Sequence, residues 1–135
     1  MKIFCDTSAL TKLYIREKES DVVVGYFEKS DEILVSVLCL PEIFSVLNRL
    51  KRERALSTPQ YAELKKTILG HFEDFRICEI TDEVIQTVCQ LLESHPLKAA
   101  DAVHLACAFH VRPDIFLSFD KQQLSAAKGI GLPIK

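Results

Sequence analysis

The sequence predicts an α/β domain built on a parallel sheet. Three observations carry that prediction: short apolar or β-branched runs recur along the chain, amphipathic helical stretches separate them, and strand-like runs are seldom adjacent. Lys2 to Cys5 is the first such run, and Asp6-Thr7-Ser8 stops it with helix-capping residues. Leu10, Leu13 and Tyr14 then return at helical spacing. Val22, Val23, Tyr26 and Phe27 make a second stripe within Glu19 to Lys29, and Glu32 to Val37 reads as a buried strand. Pro41 suits the first turn of a helix, where its missing N–H costs nothing; Ile43, Phe44, Val46, Leu47 and Leu50 carry that helix to about Arg54.

Ser57-Thr58-Pro59 opens the next helix, running to about Phe72. Arg76 to Ile80 alternates as a strand does, and Thr81-Asp82-Glu83 caps a helix that ends near Glu93, before the His95-Pro96 break. Lys98 to Val111 is a small-residue apolar helix, Ile115 to Phe119 a strand, Asp120 to Ala127 a short helix, and Leu132 to Ile134 a last edge strand. The core expected from the first two helices is Leu10, Leu13, Tyr14, Val22, Val23 and Phe27, with any exposed remainder open to a partner helix or a second copy.

At 135 residues the chain fits one domain spanning 1–135, given roughly 150 residues per domain. The 48% hydrophobic and 27% charged content is that of a globular protein and excludes collagen-like, coiled-coil and disordered classes. The net charge of −2 provides no uniform positive field for nucleic acid. The longest uncharged stretch, Ile33 to Pro41, is far short of the roughly 20 residues that cross a bilayer, and no apolar signal segment precedes Asp6. A cytoplasmic protein is expected. Five widely spaced cysteines without a C-x-x-C pair indicate buried free thiols rather than disulfides or zinc.

Four carboxylates stand out. Asp6 follows the first strand, and ligands bind at the carboxyl edge of an open parallel sheet; an N-cap for a helix starting near Ala9 explains it equally well. Glu42 lies in a helical first turn, where the macrodipole alone stabilises a carboxylate by about 0.3–1 kcal/mol. Asp101 sits in a helix apolar on nearly every face, so its charge needs compensation from Lys98, from His104 or from a metal. Asp120 closes the strand Ile115 to Phe119 and also serves as an N-cap. Strand ends and helix starts share one edge of an α/β sheet, so capping and site formation demand the same geometry. Four acids crowded there raise one another's pKa unless a cation joins them, and oxygen-only ligands suit Mg²⁺ or Mn²⁺ rather than zinc.

These segments resemble one family. Phe4-Cys5-Asp6-Thr7-Ser8-Ala9-Leu10, Leu40-Pro41-Glu42-Ile43, Leu97 through Ala106 around Asp101, and Phe116-Leu117-Ser118-Phe119-Asp120 are similar, in order and over nearly the whole chain, to the PIN-domain ribonucleases, and most to VapC-type toxins of toxin/antitoxin pairs. The resemblance implies a three-layer α/β/α sandwich with a five-stranded parallel sheet. It further implies Mg²⁺- or Mn²⁺-dependent endonuclease activity on RNA, inhibition by a small cognate antitoxin, and a homodimer. Asp6, Glu42, Asp101 and Asp120 match the acidic metal-binding set. On that basis Asp6 and Asp101 are expected to hold the principal metal, with Glu42 and Asp120 completing the shell directly or through water. Ser8, Ser118 and Thr7 match residues that support metal or water.

Among the cations, Lys12, Arg16, Lys98 and Lys121 lie within a few turns of a proposed acid and are the candidates for RNA backbone contact. Arg49, Lys51, Arg52 and Arg54 form the densest basic cluster, which a solvated helix end also explains. His104 reads as a hydrogen-bonded core histidine, since hard cations prefer oxygen. A haloacid-dehalogenase-type phosphatase would need a second Asp where Ser8 stands. The surviving alternative is a non-cleaving PIN-like scaffold that binds RNA or a protein. Removing the four negative charges of the proposed ligands from −2 leaves the rest of the chain at +2, so RNA binding is expected to be local and metal-dependent.

Overall fold

The computed structural model describes residues 1–135. In chain order the elements are β1 (Lys2–Cys5), α1 (Thr7–Tyr14), α2 (Ser20–Lys29), β2 (Glu32–Ser36), α3 (Cys39–Arg52), α4 (Thr58–Asp74), β3 (Arg76–Cys78), α5 (Asp82–Ser94), α6 (Ala99–Val111), β4 (Ile115–Leu117) and α7 (Lys121–Gly129). The four strands pair in parallel in the order β3-β2-β1-β4.

Period-two alternation divides the core between the sheet's faces. Ile3, Cys5, Ile33, Val35, Ile115 and Leu117 pack with Leu10 of α1, Val23 of α2, Leu47 of α3 and Ile68 of α4. Phe4, Leu34 and Phe116 point the other way, onto Val88 of α5, Leu105 of α6 and Ala126 of α7. This is the expected three-layer α/β/α sandwich. Helix α6 is apolar all round because it lies deep in the second layer, with Ala102 through Ala108 all buried.

The fifth strand is reduced to a single bridge: Ile134 pairs in parallel with Phe116 on the free side of β4. Pro133 has no N–H to donate and uses only its carbonyl, which accepts from the Phe116 N–H at 2.7 Å, so the ladder does not propagate. Two core assignments also need correction. Val22 is 51% exposed on α2, and Cys89, unlike the other four cysteines, lies on the surface.

Pro41 falls within the first turn of α3, which starts two residues earlier at Cys39, and the Glu42 N–H donates to the Leu38 carbonyl at 3.1 Å. Glu42 is therefore firmly helical. The strand order turns back between β1 and β4: the chain builds outward from β1 through β2 to β3, then returns to β1's other side. A crevice at such a reversal, outside the carboxyl ends of the strands, is the ligand site of open α/β sheets. Asp6 follows β1, and Ser118 to Asp120 follow β4.

Candidate active site

The first strand runs into α1 through Asp6, whose extended backbone makes it the N-cap. Its Oδ1 accepts from the Ala9 N–H at 2.9 Å and from Ser8 Oγ at 2.7 Å, and its Oδ2 accepts from Ser118 Oγ at 2.5 Å. The candidate site residue is thus also the helix cap. Asp6 is completely buried, and burial pushes its carboxyl above the ordinary value while the bonds from Ser118, Ala9 and Ser8 pull it back. A carboxylate offers about four acceptor positions, so one remains on Oδ2.

Ser8 and Ser118 also accept backbone hydrogen bonds: Phe119 N–H donates to Ser8 Oγ and Asp120 N–H to Ser118 Oγ, both at 3.0 Å. The two serines stitch the turn after β1 to the turn after β4. They support Asp6 rather than approaching a ligand first.

Glu42, half-buried, accepts at Oε1 from Thr7 Oγ1 at 2.6 Å and from His104 Nε2 at 2.5 Å. Burial raises its carboxyl, but those two hydrogen bonds outweigh the burial and leave it below its ordinary value. His104 is a core histidine as expected, 1% exposed, yet its partners are Glu42 and Ser36, not Asp101. A carboxylate at Nε2 assigns the proton there, and Ser36 Oγ, 3.0 Å from Nδ1, supplies the complementary donor.

Asp101 takes neither of the partners considered for it as a hydrogen-bond donor. Its Oδ1 accepts from Gln123 Nε2 at 3.0 Å. Burial, then the neighbouring Asp120 carboxylate, lift its carboxyl above the ordinary value; Glu42 adds to the rise, and His104 and Lys98 oppose it. Asp120 N-caps α7, its Oδ1 accepting from the Gln123 N–H at 3.0 Å. Gln123 therefore binds both acids. It is 3% exposed, and its Oε1 is buried with no donor.

Nothing in the sequence reading pointed to Gln123 as part of the site. The signal was present as Asp-x-x-Gln at the start of α7, a pattern that local rules assign to a capping box.

Asp101 senses the charge of Asp120 and Glu42, but no three His, Cys, Asp or Glu side chains are grouped closely enough to form a ready metal cage. The donor chemistry nevertheless fits Mg²⁺ or Mn²⁺. Mg²⁺ uses one or two carboxylates and keeps several waters, so a cluster of half-buried oxygens with one buried anchor is a suitable set.

Of the cations, Lys12 pairs with Glu17 at 2.9 Å and Glu19 at 3.1 Å and lies 4.9 Å from the centre of the Phe119 ring. Arg16 pairs with Asp21 at 2.8 Å. Lys98 and Lys121 are exposed and hold no ion pair. A cleft of about 350 Å³ leads from Thr7 and Ser8 past Lys12 and Phe119 to Arg49 on α3, one member of the basic cluster.

Comparison with known proteins agrees with this architecture. The PIN domain matches residues 3–129. Ribonuclease VapC45 of Mycobacterium tuberculosis is 33% identical over 109 residues, covering 81% of this chain and 76% of its own. Among solved structures, the sarcin-ricin loop cleaving toxin VapC20 of Mycobacterium tuberculosis superposes with a TM-score of 0.70 at 18% identity, covering 92% of this chain and 94% of its own. A toxin-antitoxin complex from Klebsiella pneumoniae gives a TM-score of 0.70 at 19% identity, covering 98% and 95%. With a parallel sheet that reverses at β1 and β4, and a domain match over nearly its whole length, this chain belongs to the PIN-domain family.

Proposed function

We propose that this chain is a divalent-metal-dependent endoribonuclease of the cytoplasm and the toxin of a toxin/antitoxin pair, with a small antitoxin and a second copy of itself as protein partners. The observation that carries the reading is the linkage of Asp6 and Asp120, which follow β1 and β4 at the reversal of strand order, to the other two acids: Glu42 accepts from Thr7 beside Asp6, and Asp101 accepts from Gln123, which Asp120 caps. It is supported by a relative named as a ribonuclease and by the fold shared with toxins. No helix is long and apolar enough to cross a membrane.

Asp6, Asp101, Glu42 and Asp120 would hold Mg²⁺ or Mn²⁺, which when bound relieves charge on the phosphate oxygens and acidifies the attacking water. The chain's own residues set the rest. Ser8, Ser118 and the Ala9 N–H fix Asp6 in one orientation, while Thr7 and His104 keep Glu42 ionised and leave its Oε2 free of protein donors. A carboxylate so placed orients a water for in-line attack. The water oxygen bonds to phosphorus, the bond to O3′ breaks, and the proton passes to that oxygen, leaving a 5′-phosphate and a 3′-hydroxyl. This chemistry does not use the 2′-hydroxyl, so preference for RNA comes from shape and from single-stranded loops. Lys98 and Lys121 are the cations available for phosphates; Lys12 and Arg16 would first have to exchange carboxylate partners.

The test is cleavage of a mixed RNA pool by the partner-free protein with Mg²⁺ or Mn²⁺, against EDTA and against Asp6→Ala, with mapping of product ends. Metal-dependent products bearing 5′-phosphates support the reading. RNA that is bound but left intact under every condition favours the non-cleaving scaffold.

A further inference from the structure

Gln123 occupies the third position of α7 behind the N-cap Asp120, where a glutamine ordinarily folds back so that its side-chain oxygen accepts the cap residue's N–H. Here that N–H is taken. It donates to Ser118 Oγ at 3.0 Å, which leaves the Gln123 side chain to turn inward. Its Nε2 then donates to Asp101 Oδ1 at 3.0 Å while its backbone N–H donates to Asp120 Oδ1 at 3.0 Å. The displaced Oε1 is buried and unpaired. A glutamine recruited only for packing or capping would not be expected to leave that oxygen without a donor.

We infer that Gln123 is a positioning residue that holds Asp101 beside Asp120, by one hydrogen bond to each, so that both can face a single divalent cation. The inference rests on the proposed divalent-metal reading of the acids. Without this tie, two like-charged side chains from different helices are free to move apart. With it, the distance between α6 and the start of α7 is set before a cation arrives. Outer-shell partners of this kind typically change metal affinity by 10- to 100-fold when removed.

The test titrates metal-free protein with Mn²⁺ by calorimetry, alongside thermal unfolding in EDTA, for the wild type, Gln123→Met, Gln123→Leu and Gln60→Met. Gln60 sits at the same position of α4 in a closed capping box and serves as control. Loss of the Asp101 bond raises the Mn²⁺ Kd of both Gln123 variants by roughly 10-fold or more, while their metal-free unfolding midpoints stay level or rise because the unpaired oxygen is gone. Gln60→Met lowers the midpoint and leaves the Kd unchanged. A wild-type Kd in both Gln123 variants, or a lowered midpoint with unchanged Kd, overturns the inference and leaves the metal reading standing. Absence of any Mn²⁺ uptake by the wild type removes that reading and the inference with it. A readout needing no variant is the side-chain amide resonance of Gln123 during Mg²⁺ titration of the wild type. It shifts in step with Mg²⁺ uptake if Asp101 is tied to it, and a resonance unmoved at saturating Mg²⁺ overturns the inference.

Discussion

Two helices of this chain begin with the same local pattern, a capping residue followed three positions later by glutamine, and the structure uses the pattern in opposite ways. At α4, Ser57 Oγ accepts from the Gln60 N–H at 3.2 Å and Gln60 Oε1 accepts from the Ser57 N–H at 2.8 Å, a closed capping box on the exposed surface. At α7, Asp120 caps the Gln123 N–H in the same manner, but Ser118 has taken the Asp120 N–H and the glutamine reaches Asp101 instead. The first arrangement satisfies every group and serves the helix. The second leaves a buried oxygen unpaired, a cost of about 1–3 kcal/mol, beside a pair of acids. Local sequence specifies a helix start in both places; Ser118, by taking the Asp120 N–H, decides that the second glutamine turns to Asp101 rather than to its own cap.

The largest expected effect separates cap from chemistry. Asparagine caps a helix about as well as aspartate, so Asp120→Asn retains the unfolding midpoint while RNA cleavage falls by more than the 10- to 100-fold of an outer-shell change. Ser57→Ala does the reverse, losing about 0.5–2 kcal/mol of stability in denaturant unfolding with cleavage intact. Next in size is Ser118→Ala, which frees the Asp120 N–H for the Gln123 side chain, as at α4, and also removes the Ser118 hydrogen bond to Asp6 Oδ2. Mn²⁺ affinity then drops by roughly 10-fold or more, and Gln123 gains the protection of a closed box, readable in its amide resonance.

A smaller effect appears in the pH dependence of metal-free stability. The folded-state pKa of Asp101 is raised, so its ionised form disfavours folding at neutral pH, and that penalty disappears as pH falls through the folded value toward the ordinary 3.8. Asp101→Asn is accordingly more stable than wild type at neutral pH in EDTA, and the advantage shrinks as the solution is acidified. Glu42 has the opposite sign. Its lowered pKa contributes stability above about 4.5 that is lost on further acidification, so Glu42→Gln is less stable than wild type at neutral pH and converges with it in acid. The smallest expected change is Gln60→Ala, about 1 kcal/mol or less in unfolding with no change in Mn²⁺ affinity.

What was legible in the sequence follows from range. Asp6 and Asp120 could be found because strand ends and helix caps are local signals, and α/β geometry places both on one edge. The four elements that bear the acids emerged from capping residues, a first-turn proline, apolar composition and periodicity together. His104 was recognised as a core histidine, but its bond to Glu42 joins residues 62 apart and no spacing rule reports it. Lys12 is compensated by Glu17 and Glu19, which lie beyond the end of α1 at Tyr14 and outside any i,i+4 rule. Gln123 was concealed by a pattern with a sufficient local explanation. The last strand fell short because Pro133 interrupts the ladder that the apolar run suggests.

The most direct measurement is cleavage of an end-labelled RNA pool by wild-type protein and Asp101→Asn, each with Mn²⁺ and with EDTA. The expected result is cutting by the wild type with Mn²⁺ only, and none by the variant, whose fold is retained. Cutting that survives EDTA, or equal cutting by Asp101→Asn, would contradict the assignment of this sheet edge as a metal-dependent active site.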